Sequence, residues 1–349
     1  MGNRVMIGMS GGVDSSVAAY LLQQQGFSCV GATMDLYPTG AQDARDAAAV
    51  AQRMGIAHHI FPLEAEFEKQ VISEFAAAYE QGLTPNPCIR CNRTMKFGRM
   101  MELAEEYGCQ YVASGHYARI RRDEKTGRYL LYKAVDSKKD QTYFLACLSQ
   151  QQLSRILFPL GTLSKEAVRQ IAQDNGFLTA RKRDSQDICF VPGGDYGAFL
   201  ERYTGKSYPD GDYLDLNGNV VGRHHGAVRY TLGQRKGLGI ALGSPVYVCG
   251  KDMEKNTVTL GSNEALFSQG LRADGWSWYP FPDLTRPLRV TAKIRHSPFE
   301  IPALVTPESN GSARVDFDAP QRAVTPGQAV VLYQQELVIG GGTIREAIS

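Results

Sequence analysis

The first 180 residues of the chain alternate between short apolar runs and amphipathic stretches, and this alternation restricts the possible folds more than any other feature. Residues 5–9 form an apolar run, a glycine-rich turn follows, and residues 14–25 then carry apolar side chains at helical spacing. The same order recurs at residues 29–34 and 41–54. Strands that alternate with helices in this way build a mostly parallel sheet with helices on both faces. We therefore predict an α/β domain over residues 1–200.

Beyond residue 200 the pattern changes to short alternating segments separated by glycine, proline and asparagine turns. Such segments are typical of small β-barrels and β-sandwiches. They lie at residues 246–248, 257–260, 288–292 and 330–332. We predict a central β-rich domain over residues 201–270 and a C-terminal β-barrel domain over residues 271–349, with residues 274–287 as a link between two β modules.

The composition limits where such a chain works and what it binds. Its seven cysteines, an odd number at irregular spacing, argue against the disulfide framework of a secreted protein. No apolar run is long enough to span a bilayer, and the sequence opens without a leader segment. We therefore predict a soluble cytoplasmic protein with no membrane partner. Because the net charge is only +2, a nucleic-acid partner requires local basic patches.

The sharpest local feature is the glycine-rich sequence GMSGGVDSS at residues 8–16, between the first predicted strand and the first predicted helix. Gly11 and Gly12 allow a sharp turn, and the N-terminus of the following helix offers backbone N–H groups to an anion. The loop lacks the terminal lysine of the phosphate loop of kinases, and its spacing is not that of a dinucleotide fingerprint. It resembles the pyrophosphate loop of the N-type ATP pyrophosphatases; the alternative is a tight turn without a ligand.

Two cysteines lie in the sequence NPCIRCN at residues 86–92, where the prolines predict an extended, exposed loop. Cations near a thiol lower its pKa and favour the nucleophilic thiolate. The basic residues close to Cys91 therefore predict a reactive thiol; they are Arg90, Arg93 and Lys96.

A further cysteine, Cys189, follows a basic run at residues 181–183 and precedes a Pro-Gly-Gly turn, so it is also predicted to lie in a loop. The remaining cysteines lie in or beside predicted strands and helices and are interpreted as small core residues. They are Cys29, Cys109, Cys147 and Cys249.

Seven motifs in a fixed order carry a resemblance that extends from end to end. Besides the loop at residues 8–16 they are NPCxxCN at 86–92 followed by KF at 96–97, SGHY at 114–117, KDQTYF at 139–144, DSxxICF at 184–190, TLGQRKGLG at 231–239 and TPGQ at 325–328. The chain resembles the bacterial tRNA-specific 2-thiouridylases. This implies an adenine nucleotide α-hydrolase-like fold for the N-terminal domain.

The resemblance also implies a reaction. ATP adenylates the C2 oxygen of the wobble uridine (U34) in tRNAs for Lys, Glu and Gln, which converts a poor leaving group into AMP. A sulfur-relay protein or a cysteine desulfurase delivers sulfur to Cys189 as a persulfide, and that sulfur replaces the adenylated oxygen. Cys91 attacks the persulfide, which leaves a Cys91–Cys189 disulfide for a reductant to reset.

Site residues follow from the resemblance position by position. Those implied to bind ATP are Gly8, Met9, Ser10, Gly11, Gly12, Val13, Asp14, Ser15, Met34 and Gly115, with Asp14 also beside Mg²⁺. Those implied to border the target base are Asn86, Pro87 and Cys88. Those implied to contact tRNA are His116, Lys139, Asp140, Gln141, Arg295, His296 and Gln328. The residues alone leave other interpretations open: His116 as a strand-end cap, Met34 as a core methionine, and the basic runs 119–122, 181–183 and 235–236 as solvated faces.

Two features depart from the pattern of the relatives. Cys88 stands where some members have an aspartate proposed as a general base, and residues 35–40 form a short segment. Together, Cys88, Cys91 and Cys189 also raise the alternative of an iron–sulfur cluster or zinc. We favour persulfide chemistry, because two ligands from one loop do not make a tetrahedral site.

Two other functions compete with tRNA thiolation, for which a monomeric enzyme is expected. An ATP pyrophosphatase-type synthetase acting on a small-molecule amide or nucleotide acceptor explains the glycine-rich loop but gives the cysteines no task. A non-catalytic RNA-binding protein explains the basic clusters but not the loop combined with reactive cysteines. Conversion of tRNA uridine separates the three.

Overall fold

The N-terminal part of the chain folds around a parallel five-stranded sheet, as predicted. A computed structural model describes residues 3–37, 41–177 and 188–349. The strands of this sheet are β1 (Arg4–Gly8), β2 (Ser28–Asp35), β3 (Ala57–Pro62), β4 (Tyr111–Ala113) and β7 (Ile156–Leu157). Their order is β3-β2-β1-β4-β7, and all neighbours are parallel.

Helices connect these strands and follow the last of them. They are α1 (Val13–Gln24), α2 (Ala41–Met54), α3 (Glu64–Phe67), α4 (Ser73–Glu80), α5 (Pro87–Cys91), α6 (Met100–Glu106), α7 (Thr142–Leu145), α8 (Gln150–Leu153), α9 (Lys165–Asp174) and α10 (Tyr196–Thr204). Two π-helical segments continue α-helices without a break: Glu68–Ile72 joins α3 to α4, and Asn92–Arg99 joins α5 to α6. No helix in the described ranges is both long and apolar enough to cross a membrane.

A small sheet forms the central part of the chain. Its strands are β8 (Gly211–Leu214), β9 (Val220–His224), β10 (Tyr247–Asp252) and β11 (Thr257–Gly261), in the order β10-β11-β8-β9. Tyr213, Val248 and Val258 are fully buried in its core, so the sheet has an apolar centre of its own.

The largest sheet combines C-terminal strands with two strands from the N-terminal part. Its members are β5 (Arg119–Arg122), β6 (Tyr129–Tyr132), β12 (Phe267–Trp278), β13 (Leu288–Lys293), β14 (Ile301–Pro307), β15 (Ala313–Arg322), β16 (Ala329–Gln334) and β17 (Leu337–Ile348). Strand β12 pairs with both β15 and β17, which closes the strands from β12 to β17 into a barrel. The pair Leu337–Tyr132 attaches β6, and through it β5, to β17.

The predicted link at residues 274–287 is wrong over its first part. Strand β12 continues to Trp278, and Trp276 and Trp278 stack with ring centroids 4.5 Å apart. Side chains two residues apart share one face of a strand, which explains the pairing of the two tryptophans. The same strand runs through the predicted boundary at 270/271. The three domain ranges stay predictions.

The N-terminal domain and the barrel share one apolar core. A single buried cluster contains Met6 and Phe97 of the N-terminal part together with Tyr279 and Tyr333 of the barrel. Polar contacts join the same parts: the guanidinium of Arg128 donates to the backbone oxygens of Tyr279 (2.7 Å) and Trp278 (2.8 Å). The barrel therefore supports the domain that carries the candidate site.

Candidate active site

The glycine-rich loop lies where the order of the parallel sheet reverses. The chain passes from β1 to β2 on one side and returns to β4 on the other, and such a switch point forms a ligand-binding crevice at the carboxyl ends of the strands. Gly115, which follows β4, packs against the loop so closely that a Cβ atom would lie 2.7 Å from the backbone carbon of Asp14 and the backbone nitrogen of Ser15. The structure therefore brings Gly115 to the glycine-rich loop, and its contact with ATP stays a prediction.

The loop itself has the backbone geometry of an anion site. Gly11 has φ +64°, and a Cβ there would lie 2.3 Å from the backbone oxygen of Asp43. Gly12 caps α1 without any side-chain hydrogen bond, so the first N–H groups of α1 remain available to a bound anion. The hydroxyl of Ser15 accepts from the backbone N–H of Ser10 (3.2 Å) and donates to the Gly12 carbonyl (3.1 Å), which braces the turn.

A charged cluster closes one side of this loop. Both carboxylate oxygens of Asp14 accept hydrogen bonds from the ammonium of Lys165, each at 2.7 Å, and one of them also accepts from the Tyr117 hydroxyl at 2.8 Å. The side chain of Lys165 is only 7% exposed. Sequence reasoning missed Lys165, because no local pattern indicates that the first residue of α9 meets a loop near the start of the chain.

Asp14 is thus already neutralised in this structure. A carboxylate is a suitable ligand for Mg²⁺, but both oxygens of Asp14 are engaged by Lys165. These two oxygens are available to Mg²⁺ only where the Lys165 ammonium is displaced from them.

We expect Lys165→Met to lower the free energy of unfolding by about 1–3 kcal/mol, because it leaves the partly buried Asp14 carboxylate without its cation. Urea denaturation of the variant, of Asp14→Asn and of the double variant measures the coupling between the two side chains. If the two single effects simply add, the ion pair contributes nothing and the expectation is wrong.

Met34 lies near the carboxyl end of β2, next to the loop. The hydroxyl of the preceding Thr33 donates to the backbone oxygen of Met9 (2.7 Å) and contacts Nε2 of His58 (2.9 Å). Burial lowers the pKa of His58, so this imidazole is neutral near pH 7. These bonds fix the start of the loop against β2, while half-buried Met34 stays beside the crevice where a nucleotide base is expected.

The segment around Cys91 is a helix, and the predicted extended loop is wrong. Pro87 occupies the first turn of α5, where its missing N–H costs nothing, and Asn86 caps the helix by accepting from the backbone N–H groups of Cys88 (3.2 Å) and Ile89 (3.4 Å). Cys88 is exposed on this first turn, whereas Cys91 is buried. The prolines therefore mark a helix start.

The fold also places Cys189 beside the helix formed by residues 64–80, which α5 contacts as well. Phe190 inserts between Phe67 and Phe75, with ring centroids 5.7 and 5.2 Å apart, and so holds the exposed Cys189 against the helix formed by residues 64–80. From the other side, the guanidinium of Arg90 in α5 donates to the backbone oxygen of Gln70 in the same helix (3.0 Å). One helix thus joins two cysteine segments that are far apart in the sequence.

The three thiols lie close enough to influence one another. Although Cys189 is exposed as a residue, desolvation of its thiol by the surrounding protein, together with the nearby Cys91 and Cys88, raises its pKa to about 11, while Lys96 opposes the shift. Burial also raises the pKa of Cys91 and of Cys88, again against Lys96. The prediction that neighbouring cations dominate at Cys91 is therefore wrong, because desolvation outweighs them.

An iron–sulfur cluster or zinc is the alternative that the sequence left open for the three thiols. In the part of the chain that the structure describes, no group of three or more His, Cys, Asp or Glu side chains is arranged to hold a metal ion. Residues 38–40, which belong to the short segment, and residues 181–187, which include the basic run and the start of the DSxxICF motif, lie outside the described residues.

His116 lies in an enclosed position directly after Gly115. Its ring lies between Phe97 and Phe158, with centroids 5.7 and 6.0 Å away, and its Nδ1 contacts the Ser114 hydroxyl at 2.8 Å. Burial, and secondarily Lys96, hold the pKa of His116 well below its usual value. His116 is therefore a neutral side chain at the inner wall of the site.

The segment 139–141 is hydrogen-bonded to the residue that follows His116. The side-chain oxygen of Gln141 accepts from the backbone N–H of Tyr117 (2.9 Å), next to His116. Asp140 accepts from the Thr142 hydroxyl (2.7 Å) and from the backbone N–H of Ala134 (3.1 Å), so its carboxylate is largely used within the protein. Lys139 is half-buried, and its backbone N–H bonds the Asp136 carbonyl (3.0 Å).

The predicted tRNA contacts of the barrel converge on α7. His296 packs against Phe144 at a tilt of 42° with ring centroids 4.7 Å apart, and Gln328 donates to the backbone oxygen of Thr84 (2.9 Å), just before α5. Arg295, which is exposed, and Gln328, which is half-buried, both line a cavity of about 400 Å³. This cavity lies between all three parts of the chain, and its wall also includes Thr84, Gln234 and Arg322.

Comparisons with known proteins assign these features to a class. One family model, described as a tRNA methyl transferase HUP domain, matches residues 3–193; a PRC-barrel domain of the same description matches 197–262, and an aminomethyltransferase β-barrel domain matches 268–344. The chain thus has the domain composition of a family of tRNA-modifying proteins.

Curated relatives define the family more closely. The tRNA-specific 2-thiouridylase MnmA of Acetivibrio thermocellus is 47% identical over 98% of this chain and 99% of that protein. MnmA of Clostridioides difficile is 44% identical over 100% of this chain and 99% of that protein. The chain belongs to the tRNA-specific 2-thiouridylase family.

Solved structures show a more distant likeness. The U34-tRNA thiolase NcsA of Methanococcus maripaludis, solved with an iron–sulfur cluster, is 18% identical over 58% of this chain and 68% of that chain, with a TM-score of 0.35. Similarity at this level carries no argument about the present site.

Proposed function

We propose that this chain is an ATP-dependent tRNA-uridine 2-sulfurtransferase that makes 2-thiouridine at the wobble position of tRNAs for Lys, Glu and Gln. One observation carries the proposal: the segments of Cys91 and Cys189, far apart in sequence, both pack against the helix formed by residues 64–80. An exposed thiol beside a buried one suits a pair in which the first receives sulfur and the second resolves the product.

The first half-reaction takes place in the crevice at β1 and β4. The loop from Gly8 to Ser15 holds the phosphates of ATP through backbone N–H groups, and Met34 and Gly115 border the nucleotide. The C2 oxygen of the uridine attacks the α-phosphorus, and pyrophosphate leaves with its bonding electrons. ATP thereby supplies the adenylyl group that turns the oxygen into a good leaving group.

The second half-reaction takes place at the thiols. The terminal sulfur of a Cys189 persulfide attacks C2, and the C2–O bond breaks with its electron pair on AMP. The Cys91 thiolate then attacks the sulfur of Cys189; the bond to the transferred sulfur breaks, and that sulfur keeps the pair and becomes the thione. The transferred sulfur is reduced by two electrons while the two cysteines become a disulfide, which an external thiol reductant must reduce.

The remaining predicted residues are assigned to the tRNA. Asn86, Pro87 and Cys88, at the N-terminus of α5, border the target base, and Cys88 is exposed there. Aromatic, basic and amide side chains of the kind that bind unpaired nucleotides and phosphates lie beside α7. They are Lys139, Arg295, His296 and Gln328. The sulfur donor is a sulfur-relay protein or a cysteine desulfurase, for which exposed Cys189 is the acceptor.

The test is an assay with ATP, Mg²⁺, a cysteine desulfurase with cysteine as the persulfide donor, a thiol reductant and unmodified tRNA for Glu, scored for 2-thiouridine by mass analysis of nucleosides. We expect thiouridine with this tRNA and none with a matched tRNA that carries cytidine at the wobble position. Pyrophosphate release with a small amide or nucleotide acceptor, and no thiouridine, would instead favour the synthetase alternative.

A further inference from the structure

The cavity of about 400 Å³ lies where three separate segments of the chain meet. The segment before α5 contributes Thr84, the TLGQRKGLG motif contributes residues 231–234, and the barrel contributes residues 294–295 and part of 322–328. Neither Arg322 nor the TLGQRKGLG motif has a task in the proposed function. Clefts between domains are common positions for ligand sites, so the chemistry of this wall indicates what the cavity binds.

Two glycines allow these segments to approach one another closely. Gly233 has φ +82°, and a Cβ atom there would lie 2.8 Å from the Cβ atom of Ala323, directly after β15. Gly327 has φ +92°, and its Cβ atom would lie 2.9 Å from the backbone nitrogen of Thr84. That nitrogen donates to the backbone oxygen of Pro326 (3.0 Å). Backbone packing therefore fixes the walls of the cavity relative to one another.

The guanidinium of Arg322, a half-buried residue, is held in one orientation at this wall. Its Nε donates to the side-chain oxygen of Asn263 (2.9 Å), one terminal nitrogen donates to the backbone oxygen of Gly233 (3.2 Å), and its central carbon lies 4.9 Å from the ring centroid of Tyr247. A guanidinium has five N–H donors, and these two hydrogen bonds use two of them. Within the described ranges, three N–H groups of a pre-oriented side chain are therefore left for a ligand.

The wall is positively charged. Arg295 is the second cation that lines the cavity, and among the described residues of the wall none carries a carboxylate. In the part of the chain that the structure describes, Arg295 and Arg322 form no ion pair, whereas Arg314 on the same strand as Arg322 pairs with Asp316 (2.7 Å). Two arginines among neutral hydroxyl and amide groups suit a phosphate. The neutral groups belong to Thr84, Thr231, Gln234, Thr325 and Gln328.

The cavity adjoins the segment that we propose borders the target base. Thr84 precedes Asn86, the N-terminal cap of α5, by two residues, a span of at most about 7 Å along the chain. The side-chain amide of Gln328 donates to the backbone oxygen of Thr84 (2.9 Å) and so joins this segment to the barrel. Because phosphates link successive nucleotides, an RNA strand whose uridine lies at Asn86 carries a phosphate close to the cavity.

We propose that this cavity binds a phosphate of the RNA strand beside the target uridine, with Arg322 and Arg295 each making one charge-assisted contact to the strand. The inference rests on the proposed function and adds Arg322 to the residues that hold tRNA. The TLGQRKGLG motif takes part through the carbonyl of Gly233, which orients the guanidinium of Arg322. A phosphate in this position contacts all three parts of the chain and fixes the strand relative to the candidate active site.

The experiment measures the Kd for unmodified tRNA for Glu by filter binding, with the full-length protein and without ATP, from about 50 to about 200 mM salt. Arg322→Gln removes the charge but keeps an amide group that donates hydrogen bonds. We expect the Kd to rise about tenfold and the slope of log K against log salt to become shallower by about 0.7–1, the loss of one ionic contact. We expect the same two changes in Arg295→Gln.

Arg314→Gln is the matched control. It removes the same charge from the same strand, but the Arg314 guanidinium is already paired with Asp316 through Nη2 (2.7 Å) and Nε (2.8 Å), so the Kd and the slope should stay unchanged. A slope in Arg322→Gln equal to that of the unmodified protein would overturn the inference, even with weaker binding, because a merely structural role does not change the number of ionic contacts. If Arg322→Gln fails to fold by circular dichroism, Arg295→Gln decides, since its side chain forms no hydrogen bond within the described ranges.

A free anion is the alternative source of the phosphate. Calorimetric titration of the unmodified protein and of Arg322→Gln with inorganic phosphate and with AMP tests it. We expect the two proteins to bind these anions alike, because the cavity is occupied by the strand. If Arg322→Gln loses the binding of either anion while its salt slope for tRNA is unchanged, the cavity takes a free anion and the inference is wrong.

Binding requires neither ATP nor sulfur, so its outcome is separate from that of the thiolation assay. If no thiouridine forms but Arg322→Gln changes the salt slope, the proposed function fails while the phosphate site stands. If thiouridine forms and the slope is unchanged, the proposed function stands and the phosphate site fails. In the thiolation assay, Arg322→Gln should raise the KM for tRNA about tenfold with little change in kcat, since it removes a contact remote from the reacting atoms.

Discussion

Cys189→Ser is expected to reduce 2-thiouridine formation by about 10³-fold or more while leaving adenylation of tRNA intact. The serine hydroxyl cannot carry a persulfide, so the reaction stops after the first half-reaction. The glycine-rich loop does not depend on this side chain, since Phe190 rather than Cys189 anchors the segment. Pyrophosphate release measured with tRNA present should therefore continue while the nucleoside analysis shows no thiouridine.

Matched thiol variants separate chemistry from packing. Cys249→Ser changes a half-buried thiol in the central sheet and should leave both half-reactions unchanged. Cys91→Ser should accept sulfur on Cys189 but fail to release product, so that sulfur accumulates on the protein. If Cys189→Ser also loses pyrophosphate release, the division of the reaction between crevice and thiol cluster is wrong.

Gly115→Ala is expected to reduce adenylation about 100-fold or more, because the new methyl group would collide with the loop that we propose holds ATP. The Cβ would lie 2.7 Å from backbone atoms of Asp14 and Ser15, and neither backbone can yield without shifting the start of α1. The measurement is ATP–pyrophosphate turnover with tRNA, together with the KM for ATP, at saturating tRNA.

Gly250→Ala is the control for the introduction of a methyl group. Its Cβ would meet Thr259 at 3.6 Å, an ordinary contact, so this variant should keep full adenylation and the same thermal stability. If Gly115→Ala retains normal turnover, the crevice between β1 and β4 is not the ATP site. If it loses turnover and also unfolds at lower temperature, the loop is required for folding as well.

Local sequence patterns predicted the fold well where the structure is itself local. Alternating strands and helices specify a parallel sheet because each strand must be buried on both faces. The prediction of an extended loop before Cys91 was wrong because Pro87 is compatible both with an extended loop and with the first turn of a helix. The capping bonds of Asn86 decide between them, and these require the folded backbone.

The electrostatics of the site were less predictable. Sequence neighbours suggested that cations activate Cys91, but burial, which depends on residues from the whole domain, raises its pKa. Likewise, the ion pair between Asp14 and Lys165 joins segments that no local pattern connects. Desolvation and long-range ion pairing depend on how the protein packs, whereas the sequence shows only which residues are available for them.

The hairpin of β5 and β6 has a consequence for how this protein can be divided. Although it lies early in the chain, it completes a sheet whose other members are C-terminal, through β17. A fragment ending near residue 200 would leave β6 without its neighbour β17 and uncover the aromatic core that Tyr279 and Tyr333 now fill, an arrangement prone to aggregation. Recombination between relatives must therefore inherit the hairpin and its C-terminal strand together, as a single heritable unit.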